Sequence, residues 1–549
     1  MNDFLQTFHV AVTPLTPIHI GCGTDFEPTN YVIRDNDILY NFDPENAELN
    51  ERQKRDLQQR GERCDLLSIQ KFFRDHADTF AVAAKSIMPV THDIAQEYRN
   101  KIGTPVKTEV KKNNDIINNL YIQRTISHPY TNDPYLPGSS VKGAIRTAIL
   151  DSLNDPPVRY ESNASKPERN KSARLEQRLL GMDGSDYAQS AFRLVKISDI
   201  QPSGEPARLV VMTKQYKKKT VIDKTTGMPK EGGAISVRRE IIAPAQYRCF
   251  TGEIQIGTLG DIYEKDKTPP HNRRIDIQSI ARDCNRFYCQ QMKDELDRLG
   301  NRRLTSDTWL ANIRKLFSPT SEISRQMNNG TTFLIRLGML GGAESKTFRG
   351  EGIAQIKINQ GKGRLPRYQD TTTTIWLGDI DSRQKNRQPF GWALVEIQPE
   401  KDCESLKTWC ARESSSYPDL ESECRNILKQ REAMKLKKQQ DAAEKQKQDE
   451  QRRQEIEKKR EEETRRAAMS EYDRTFLDFT AILNKVNEKG GSGSPEATQC
   501  REILEHAATH WQNATDKNRL AQHVAPLLKK KNLNSKKFKE VLQKLRGES

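Results

Sequence analysis

The sequence predicts an α+β fold in which one or two small sheets carry helical insertions. Short runs of apolar and β-branched residues, typical of strands, recur through the first 400 residues. Helix-length segments such as residues 276–299 separate these runs, which favours antiparallel pairing and a split βαβ arrangement. At 549 residues the chain is too long for one core, so two or three domains are expected.

The N-terminal elements follow from local patterns. Residues 8–21, FHVAVTPLTPIHIG, alternate apolar and other side chains and end at the turn of residues 21–23, which predicts an opening strand. Residues 31–42 predict a hairpin, because Asp and Asn occupy their centre. Residues 45–85 have helical spacing, and residues 119–127 return to an extended pattern.

The middle of the chain alternates between loop, strand and helix signals. Residues 161–175 are polar and charged, and they predict a loop insertion. Strand patterns recur at residues 191–200, 207–216, 250–259, 331–340, 352–358 and 391–398.

The composition changes near residue 425. From Asn426 to Arg466 almost every residue is charged or Gln, with acidic side chains four residues before basic ones, so a solvated single helix is expected rather than a coiled coil. An amphipathic helix at residues 472–486 and a Gly- and Ser-rich break follow. Helices starting at Pro495 and near residues 516–530 and 535–546 then complete a small basic bundle.

These changes predict four segments. Residues 1–255 form an N-terminal domain with insertions, and residues 256–400 form a second half of the same kind that carries a glycine-rich loop. Residues 401–470 are a linker and the charged helix, and residues 471–549 are a basic helical module.

The charge indicates the kind of partner. The chain has 90 Lys and Arg against 75 Asp and Glu, a formal net charge of +15, which favours a polyanion such as nucleic acid. No run of about 18 apolar residues and no secretory signal is present, so the protein is expected in the cytoplasm without a membrane partner. Nine cysteines without a CxxC pair make disulfides unexpected in that compartment.

The segment PYLPGSSVKGAIRTAIL, residues 134–150, is the first candidate site. Pro137 and Gly138 end an extended run, and Ser139 or Ser140 can cap a helix from about Ser140 to Leu153. Lys142 and Arg146 share one face of this helix. A phosphate at the helix start would meet free N–H groups, the helix dipole and a cation. An ordinary capped helix with two solvated cations explains the pattern equally well.

The second candidate is GMLGGAESKTFRGEG, residues 338–352. It is not a nucleotide-binding P-loop, because Leu340 and Ser345 stand where that motif requires glycine. Glycines without side chains would instead let the backbone approach a phosphodiester chain. The candidate RNA-binding residues here are Gly341, Gly342, Ser345, Lys346, Thr347 and Arg349. The alternative is a long turn in a sheet.

The third candidate is a predicted protruding hairpin or loop at residues 213–240. A lysine cluster, Lys214, Lys217 and Lys218, surrounds Tyr216. Stacking of a base on the tyrosine, with lysines on the backbone, would suit single-stranded nucleic acid. The alternative is a solvated charged loop.

No catalytic, metal or cofactor motif is evident. The histidines His9, His19, His76, His92 and His128 are isolated, and His19 on the first strand is expected to be structural. The sequence contains no HExxH, CxxC or GxSxG motif. We therefore expect no cofactor, no metal site and no catalytic residue.

The order of four motifs gives a resemblance. LTPIHIGCG, PYLPGSSVKGAIRTAIL, GGAESKTFRG and PFGWALVEI follow one another, and together they resemble the RAMP superfamily of CRISPR-associated proteins. More narrowly, LTPIHIGCGTDFEPTNYVI and the GG-x-x-SKT loop resemble the Csm-five subunit of type III-A effector complexes. The resemblance covers about residues 1–400.

The resemblance implies RRM-like, ferredoxin-fold domains that hold a CRISPR RNA, in a subunit that caps the backbone filament at the 3′ end of the guide. Such a subunit supports maturation of the CRISPR RNA and antiviral defence. The implied partners are CRISPR RNA, target RNA, the backbone RAMP subunit and other Csm subunits, and a host nuclease recruited for 3′ trimming. Ser139, Ser140, Lys142 and Arg146 match one family motif, and Gly341, Gly342, Lys346 and Thr347 match the other.

Slicing activity is not expected. The repeating backbone subunit of such complexes cuts target RNA with an Asp in the loop after the first strand. Here Asp25 stands in that loop without a second carboxylate in a recognisable pattern. Two alternatives remain open: a metal-independent RAMP endoribonuclease that uses His19 as its base, and a structural adaptor without RNA affinity. The segment from residue 426 onward exceeds the usual family length and predicts a tether to RNA or to another protein.

Overall fold

The structure of the chain is a computed structural model that describes residues 4–105, 118–155, 171–183, 186–222, 233–259, 268–347, 356–359, 371–381, 386–415, 420–486 and 491–548, with a few single positions between 225 and 230 and between 361 and 369. Among the described residues no helix combines the length and the apolar composition needed to cross a bilayer. The chain divides into two compact units, Met1–Arg431 and Glu432–Ser549.

The strands all belong to the first unit. They are β1 Leu5–Pro14, β2 Gly21–Phe26, β3 Tyr31–Ile33, β4 Ile38–Phe42, β5 Ala84–Pro89, β6 Ile122–Thr125, β7 Val195–Ile197, β8 Gln201–Pro202, β9 Arg208–Lys217, β10 Val221–Ile222, β11 Pro229–Lys230, β12 Gly233–Ile242, β13 Phe250–Gly257, β14 Thr332–Arg336, β15 Ile356–Ile358, β16 Arg367–Gln369, β17 Thr374–Asp381, β18 Asn386–Pro389 and β19 Trp392–Ile397.

The helices lie in both units. They are α1 Glu51–Glu62, α2 Leu66–Asp75, α3 Ala77–Val82, α4 His92–Lys101, α5 Gly138–Leu153, α6 Lys171–Leu180, α7 Ile277–Asn301, α8 Asp307–Leu316, α9 Glu322–Asn328, α10 Glu404–Ser414, α11 Glu421–Ala468, α12 Glu471–Lys485, α13 Pro495–His510, α14 Ala514–Lys530 and α15 Lys536–Arg546. The mixture of helix and sheet agrees with the α+β prediction.

One antiparallel sheet has the strand order β14-β19-β1-β13-β7, with β8 also paired to β13. Strands β1 and β7 flank β13 and run parallel to each other, and helix α5 connects them along the chain. Helix α7 follows β13, and α5 and α7 pack against each other and against β14. The largest apolar core lies here and includes Phe287, Tyr288 and Trp392.

A second sheet has the order β18-β17-β9-β12-β6-β2, in which only β12 and β6 are parallel. Strands β9 and β12 form the hairpin predicted at residues 213–240. Its stem lies inside the sheet, because β9 also pairs with β17 and β12 also pairs with β6. The predicted protruding hairpin or loop is thus a hairpin whose stem does not protrude, and part of its tip lies outside the described residues.

A third sheet, β3-β4-β5, contains the hairpin predicted at residues 31–42. Helices α1 to α3 occupy the region predicted as helical, and rings from β4, α2 and α3 pack together. Phe42 stacks on Phe80 with ring centroids 4.5 Å apart. The start of α11 joins this core through buried Ile427.

The second unit contains most of α11 and the helices α12 to α15. From residue 432 to residue 468 nearly all the side chains of α11 are exposed, as expected for a solvated helix. Helices α12 to α15 share an apolar core that includes Phe479, Leu504, Leu520 and Phe538. Helix α13 begins at Pro495, and the Ser494 hydroxyl accepts the Ala497 N–H at 3.2 Å, as the Ser-Pro signal predicts.

Candidate nucleic-acid interface

The glycine-rich loop follows β14 and is fixed at its start to the first strand region. Gly338 has φ +75°, and a Cβ added there would lie 2.4 Å from the His19 carbonyl oxygen. The Met339 N–H donates to the same oxygen at 2.8 Å. Only glycine combines this backbone conformation with this close approach. The glycine therefore sets the position of the whole loop.

A buried ionic cluster forms the floor beneath the loop. The Arg336 guanidinium donates to the Glu295 carboxylate and to the Phe390 carbonyl, each at 2.9 Å. The Trp392 indole donates to the other Glu295 oxygen at 2.7 Å. A Cβ at Gly341 would lie 2.8 Å from the Arg336 Nε, so the loop backbone rests on the guanidinium. Because the buried charges of Arg336 and Glu295 are paired and hydrogen-bonded, this cluster supports the loop rigidly.

The loop hydroxyls hold the loop rather than a ligand. Ser345 is buried, and its hydroxyl donates to the Gly341 carbonyl at 2.8 Å. The Thr347 hydroxyl donates to the Ala343 carbonyl at 2.9 Å. Lys346, by contrast, is exposed, and no ion pair or side-chain hydrogen bond is recorded for it among the described residues. Among the predicted loop residues that the structure describes, Lys346 therefore has the side chain most available to a phosphate.

The lysine cluster of β9 meets this loop. Lys218 forms an ion pair with Glu344 of the loop, whose carboxylate also accepts the Thr372 hydroxyl at 3.0 Å. Burial lowers the pKa of Lys218, although the charge of Glu344 opposes this effect. Burial alone would raise the pKa of Glu344, but Lys218 and the hydrogen bonds lower it overall. The second and third candidate sites thus form one site in the structure.

A groove of about 410 Å³ lies between the loop and the sheet. It is lined by Gln215, Lys218, Glu295, Leu340, Gly341, Gly342, Ala343, Glu344, Lys346, Thr372, Thr374, Ile375 and Trp376. Glu295 and Glu344 are both ion-paired, to Arg336 and Lys218. Their negative charge is therefore compensated.

Two arginines from the end of α7 join the lysines near this groove. The Arg302 guanidinium donates to the Lys217 carbonyl, and the charge of Arg298 contributes to the lowered pKa of Lys218. Neither arginine is among the predicted site residues, although both stand near the end of the helix predicted at residues 276–299. Lys217 is exposed. With Lys346, these cations make the surroundings of the groove electropositive.

Tyr216 cannot act as the predicted stacking platform, because its side chain is only 3% exposed. The Arg387 guanidinium lies 5.3 Å from its ring centroid. The alternation of β9 turns Tyr216 inward and exposes Lys217, while Lys214 is partly buried. Trp376, which is not among the predicted residues, is better placed, because it is half-buried and lines the groove.

The start of α5 differs from the prediction. The helix begins at Gly138, and neither Ser139 nor Ser140 caps it through its side chain. The Asp199 carboxylate instead accepts the Gly138 N–H at 2.8 Å. A carboxylate from this chain thus occupies part of the anion site that the sequence pattern suggested.

The two cations of α5 also have internal partners. The Lys142 ammonium donates to the Val195 carbonyl at 2.6 Å, and burial and then the charge of Arg146 lower its pKa. Arg146 forms an ion pair with Glu176. The prediction of a helix start with two solvated cations is wrong. RNA contact by Ser139, Ser140, Lys142 and Arg146 stays a prediction.

His19 and Asp25 have different surroundings. His19 is 1% exposed, its Nδ1 lies 2.8 Å from the Glu240 carbonyl oxygen, and burial lowers its pKa to about 4. Asp25 is exposed on β2. The described residues contain no group of three or more His, Cys, Asp or Glu side chains that could hold a metal ion. Arg349 lies outside the described residues.

The fold and the site together define an α+β protein with an electropositive groove beside a side-chain-poor loop. A model of the RAMP superfamily matches residues 11–272. Over these 262 of its 549 residues the chain is similar to the RAMP superfamily. The match includes α5 and the lysines of β9 and ends before the glycine-rich loop.

Comparison with curated proteins gave no match. Two solved structures are similar to the chain. One is a chain of a cryo-EM structure of a Csm-crRNA-target RNA ternary complex in a type III-A CRISPR-Cas system, with 17% identity, a TM-score of 0.41 and coverage of 71% of this chain and 100% of that one. The other is the crystal structure of T. onnurineus Csm5, with 17% identity, a TM-score of 0.38 and coverage of 71% and 99%.

Proposed function

We propose that this chain is a non-catalytic CRISPR RNA-binding subunit of a type III Csm effector complex, which caps the backbone filament near the 3′ end of the guide. The similarity of residues 11–272 to the RAMP superfamily and the order of the sequence motifs support this role. Its proposed partners are CRISPR RNA, target RNA, the backbone RAMP subunit and a trimming nuclease. Its proposed location is the cytoplasm.

The observation that carries the proposal is the electropositive groove. Lys346 and Lys217, the neighbour of loop-paired Lys218, are exposed, and Gly341 and Gly342 line the groove. Phosphate contacts from such side chains position a strand without reading its sequence. A base could then stack on Trp376, which is a sequence-tolerant contact. These properties suit a subunit that must hold guides of many sequences.

We also propose that the β19-β1-β13-β7 portion of the first sheet is RRM-like. Its order and its antiparallel pairing correspond to the ferredoxin order 4-1-3-2, and α5 and α7 take the places of the two connecting helices. Strand β14, which pairs with β19, is then an addition at the edge. In this view the helical segment α12–α15 is an appended module.

The endoribonuclease alternative is less well supported. A general base must reach the 2′-OH of the substrate, and its pKa should lie near the working pH. Buried His19, with a pKa lowered to about 4, meets neither requirement. We therefore predict that the purified chain leaves a CRISPR repeat transcript uncut, with and without divalent metal, and that His19→Ala and Asp25→Ala leave this result unchanged. Cleavage that either substitution abolishes would contradict the non-catalytic role.

The RNA-binding role is tested by the salt dependence of binding. Lys217→Ala/Lys346→Ala in the full chain should weaken binding to guide RNAs of unrelated sequence by the same factor. For this double variant, the slope of log K against log salt should fall by roughly 1.4, since each single-strand phosphate contact contributes about 0.7. Lys54→Ala is a matched control, because Lys54 is exposed on α1 and already paired with Glu51 at 2.9 Å. An unchanged slope in the double variant would contradict RNA binding at the groove. If the wild-type chain had no affinity for RNA, the role of a structural adaptor would be favoured.

A further inference from the structure

The basic charge of the second unit is concentrated at its end. Residues 527–548 contain eight basic and two acidic side chains, a net charge of +6. The preceding residues 471–526 contain six basic and eight acidic side chains, a net charge of −2. Residues 432–470 contain twelve basic and ten acidic side chains, a net charge of +2. The largest net positive charge of this unit therefore lies on the end of α14, the following turn and α15, which we name the C-terminal basic face.

The cations of this face are available to a partner. Those that are exposed, with no ion pair or side-chain hydrogen bond recorded among the described residues, are Lys529, Lys530, Lys536, Lys537, Lys539, Lys544 and Arg546. Lys531 differs, because its ammonium donates to the Val486 carbonyl at 3.1 Å. The first unit uses Lys142, Arg146 and Lys218 in internal contacts instead. Only solvated cations can exchange their counterions for phosphates without breaking contacts within the protein.

Packing places these cations together. Helix α15 turns Phe538, Val541 and Leu545 into the core, so its lysines occupy the solvent side. The first turn of α15 has no acidic residue, and Ser535 forms no side-chain cap. Lysines at a helix N-terminus oppose the helix dipole and reduce helix stability. Helices α14 and α15 pack against each other, and only residues 531–535 separate the end of α14 from the start of α15, so the lysines at these two ends lie near one another.

The surface chemistry favours RNA over a protein or a membrane. A protein interface needs apolar or aromatic anchors, and a membrane-binding helix needs an apolar face in contact with lipid. Within residues 471–548 as described, the exposed large apolar side chain is Leu477, which lies on α12 rather than on the basic face. Cations without apolar anchors are suited to contact a sugar-phosphate backbone.

We infer that the C-terminal basic face is a second, sequence-independent RNA-binding surface, separate from the groove of the first unit. This inference deepens the proposed function, because it assigns RNA as a partner to the appended helices. It rests on the proposed function, because that function makes RNA the bound polyanion. A strand held by the groove would thus gain additional phosphate contacts from residues outside the RAMP match.

Full-length chain with Lys536→Ala/Lys537→Ala/Lys539→Ala tests this inference. The probe is a fluorescent oligouridine of 30 nucleotides, titrated at several salt concentrations. The slope of log K against log salt should fall by about 2 in this variant, and affinity near 0.1 M salt should fall about a hundredfold. The matched control is Lys458→Ala/Lys459→Ala/Arg460→Ala in α11, which removes the same charge from a helix rich in Glu. The control should retain at least most of the wild-type slope.

The outcomes separate this inference from the proposed function. An unchanged slope and affinity in the α15 variant, with wild-type helicity by circular dichroism, overturns the inference. It is also overturned if the α15 variant loses binding to polyglutamate or to anionic lipid vesicles but not to oligouridine. If Lys217→Ala/Lys346→Ala has no effect while the α15 variant weakens binding, RNA binding at the groove is contradicted and RNA binding at the C-terminal basic face is supported.

Discussion

At the scale of single residues, the internal partners of the cations decide which of them can bind RNA. Lys142, Arg146 and Lys218 match sequence motifs, yet each contacts a carbonyl or a carboxylate of the protein. The partner of Lys218, Glu344, is 126 residues away in sequence, so no local pattern could reveal it. Lys217 and Lys346 are exposed, as loop and strand-end lysines usually are, and their contact with RNA stays a prediction.

His19 gives a prediction at this scale. Its folded-state pKa of about 4 lies below the ordinary value of 6.5, so the unfolded chain binds the proton more tightly. The stability that neutral His19 supports is therefore present above pH 6.5 and is lost as the pH falls towards 4. The loss reaches about 3 kcal/mol for a shift of this size. Urea unfolding of wild type and of His19→Gln between pH 7.5 and 4 measures it.

Wild type should lose more stability on acidification than His19→Gln, and the two curves should converge. His9→Gln serves as the control, because His9 is exposed and its removal should preserve the wild-type pH dependence. Parallel curves for wild type and His19→Gln would show that His19 is not held neutral by burial.

At the scale of elements, the sequence predicted the helices and strands better than their termini. The periodic patterns of α7, α13 and α14 correspond to helices in the structure, because long amphipathic runs are strong signals. The start of α5 was misplaced because its cap comes from Asp199, 61 residues further along the chain. The burial of Tyr216 is not evident from the sequence, because its side chain belongs to a core formed by residues distant along the chain.

The glycine-rich loop gives a prediction at this scale. Gly338→Ala should destabilise the first unit by about 3 kcal/mol, since it combines a left-handed backbone with a close contact to the His19 carbonyl. Gly143→Ala is the matched change in α5, where no atom lies within 4 Å of the added Cβ. It should stabilise by about 0.5–1 kcal/mol.

Denaturant unfolding followed by tryptophan fluorescence measures both variants, because four of the five tryptophans lie in the first unit. Equal effects of the two substitutions would contradict the assigned position of the loop. If Gly338→Ala were neutral, the loop could not be fixed against the opening strand region.

At the scale of the whole molecule, the charge asymmetry and the change of composition near residue 425 were readable directly from the sequence. The sequence does not reveal that the glycine-rich loop and the β9 lysines meet at one groove. This meeting depends on pairing between β9 and β17 across more than 150 residues. Long-range pairing of this kind leaves no local signal.

The exposed part of α11 gives a prediction at this scale. Between residues 432 and 468 this helix buries almost no side chain and contains many Lys and Arg, so it should open locally and be cut first by trypsin. Limited proteolysis with mass spectrometry should release one fragment that ends within this range and one that begins there. First cuts within residues 1–420 would contradict the organisation into these two units.

The most direct test of the central claim is photo-crosslinking of the full chain to RNA that carries 4-thiouridine, with the crosslinked peptides mapped by mass spectrometry. The account predicts crosslinks to residues 214–218, 340–347 and 371–381, which surround the groove, in addition to any at the C-terminal basic face. Crosslinks that fall only outside the groove residues would contradict RNA binding by the RAMP portion of this chain.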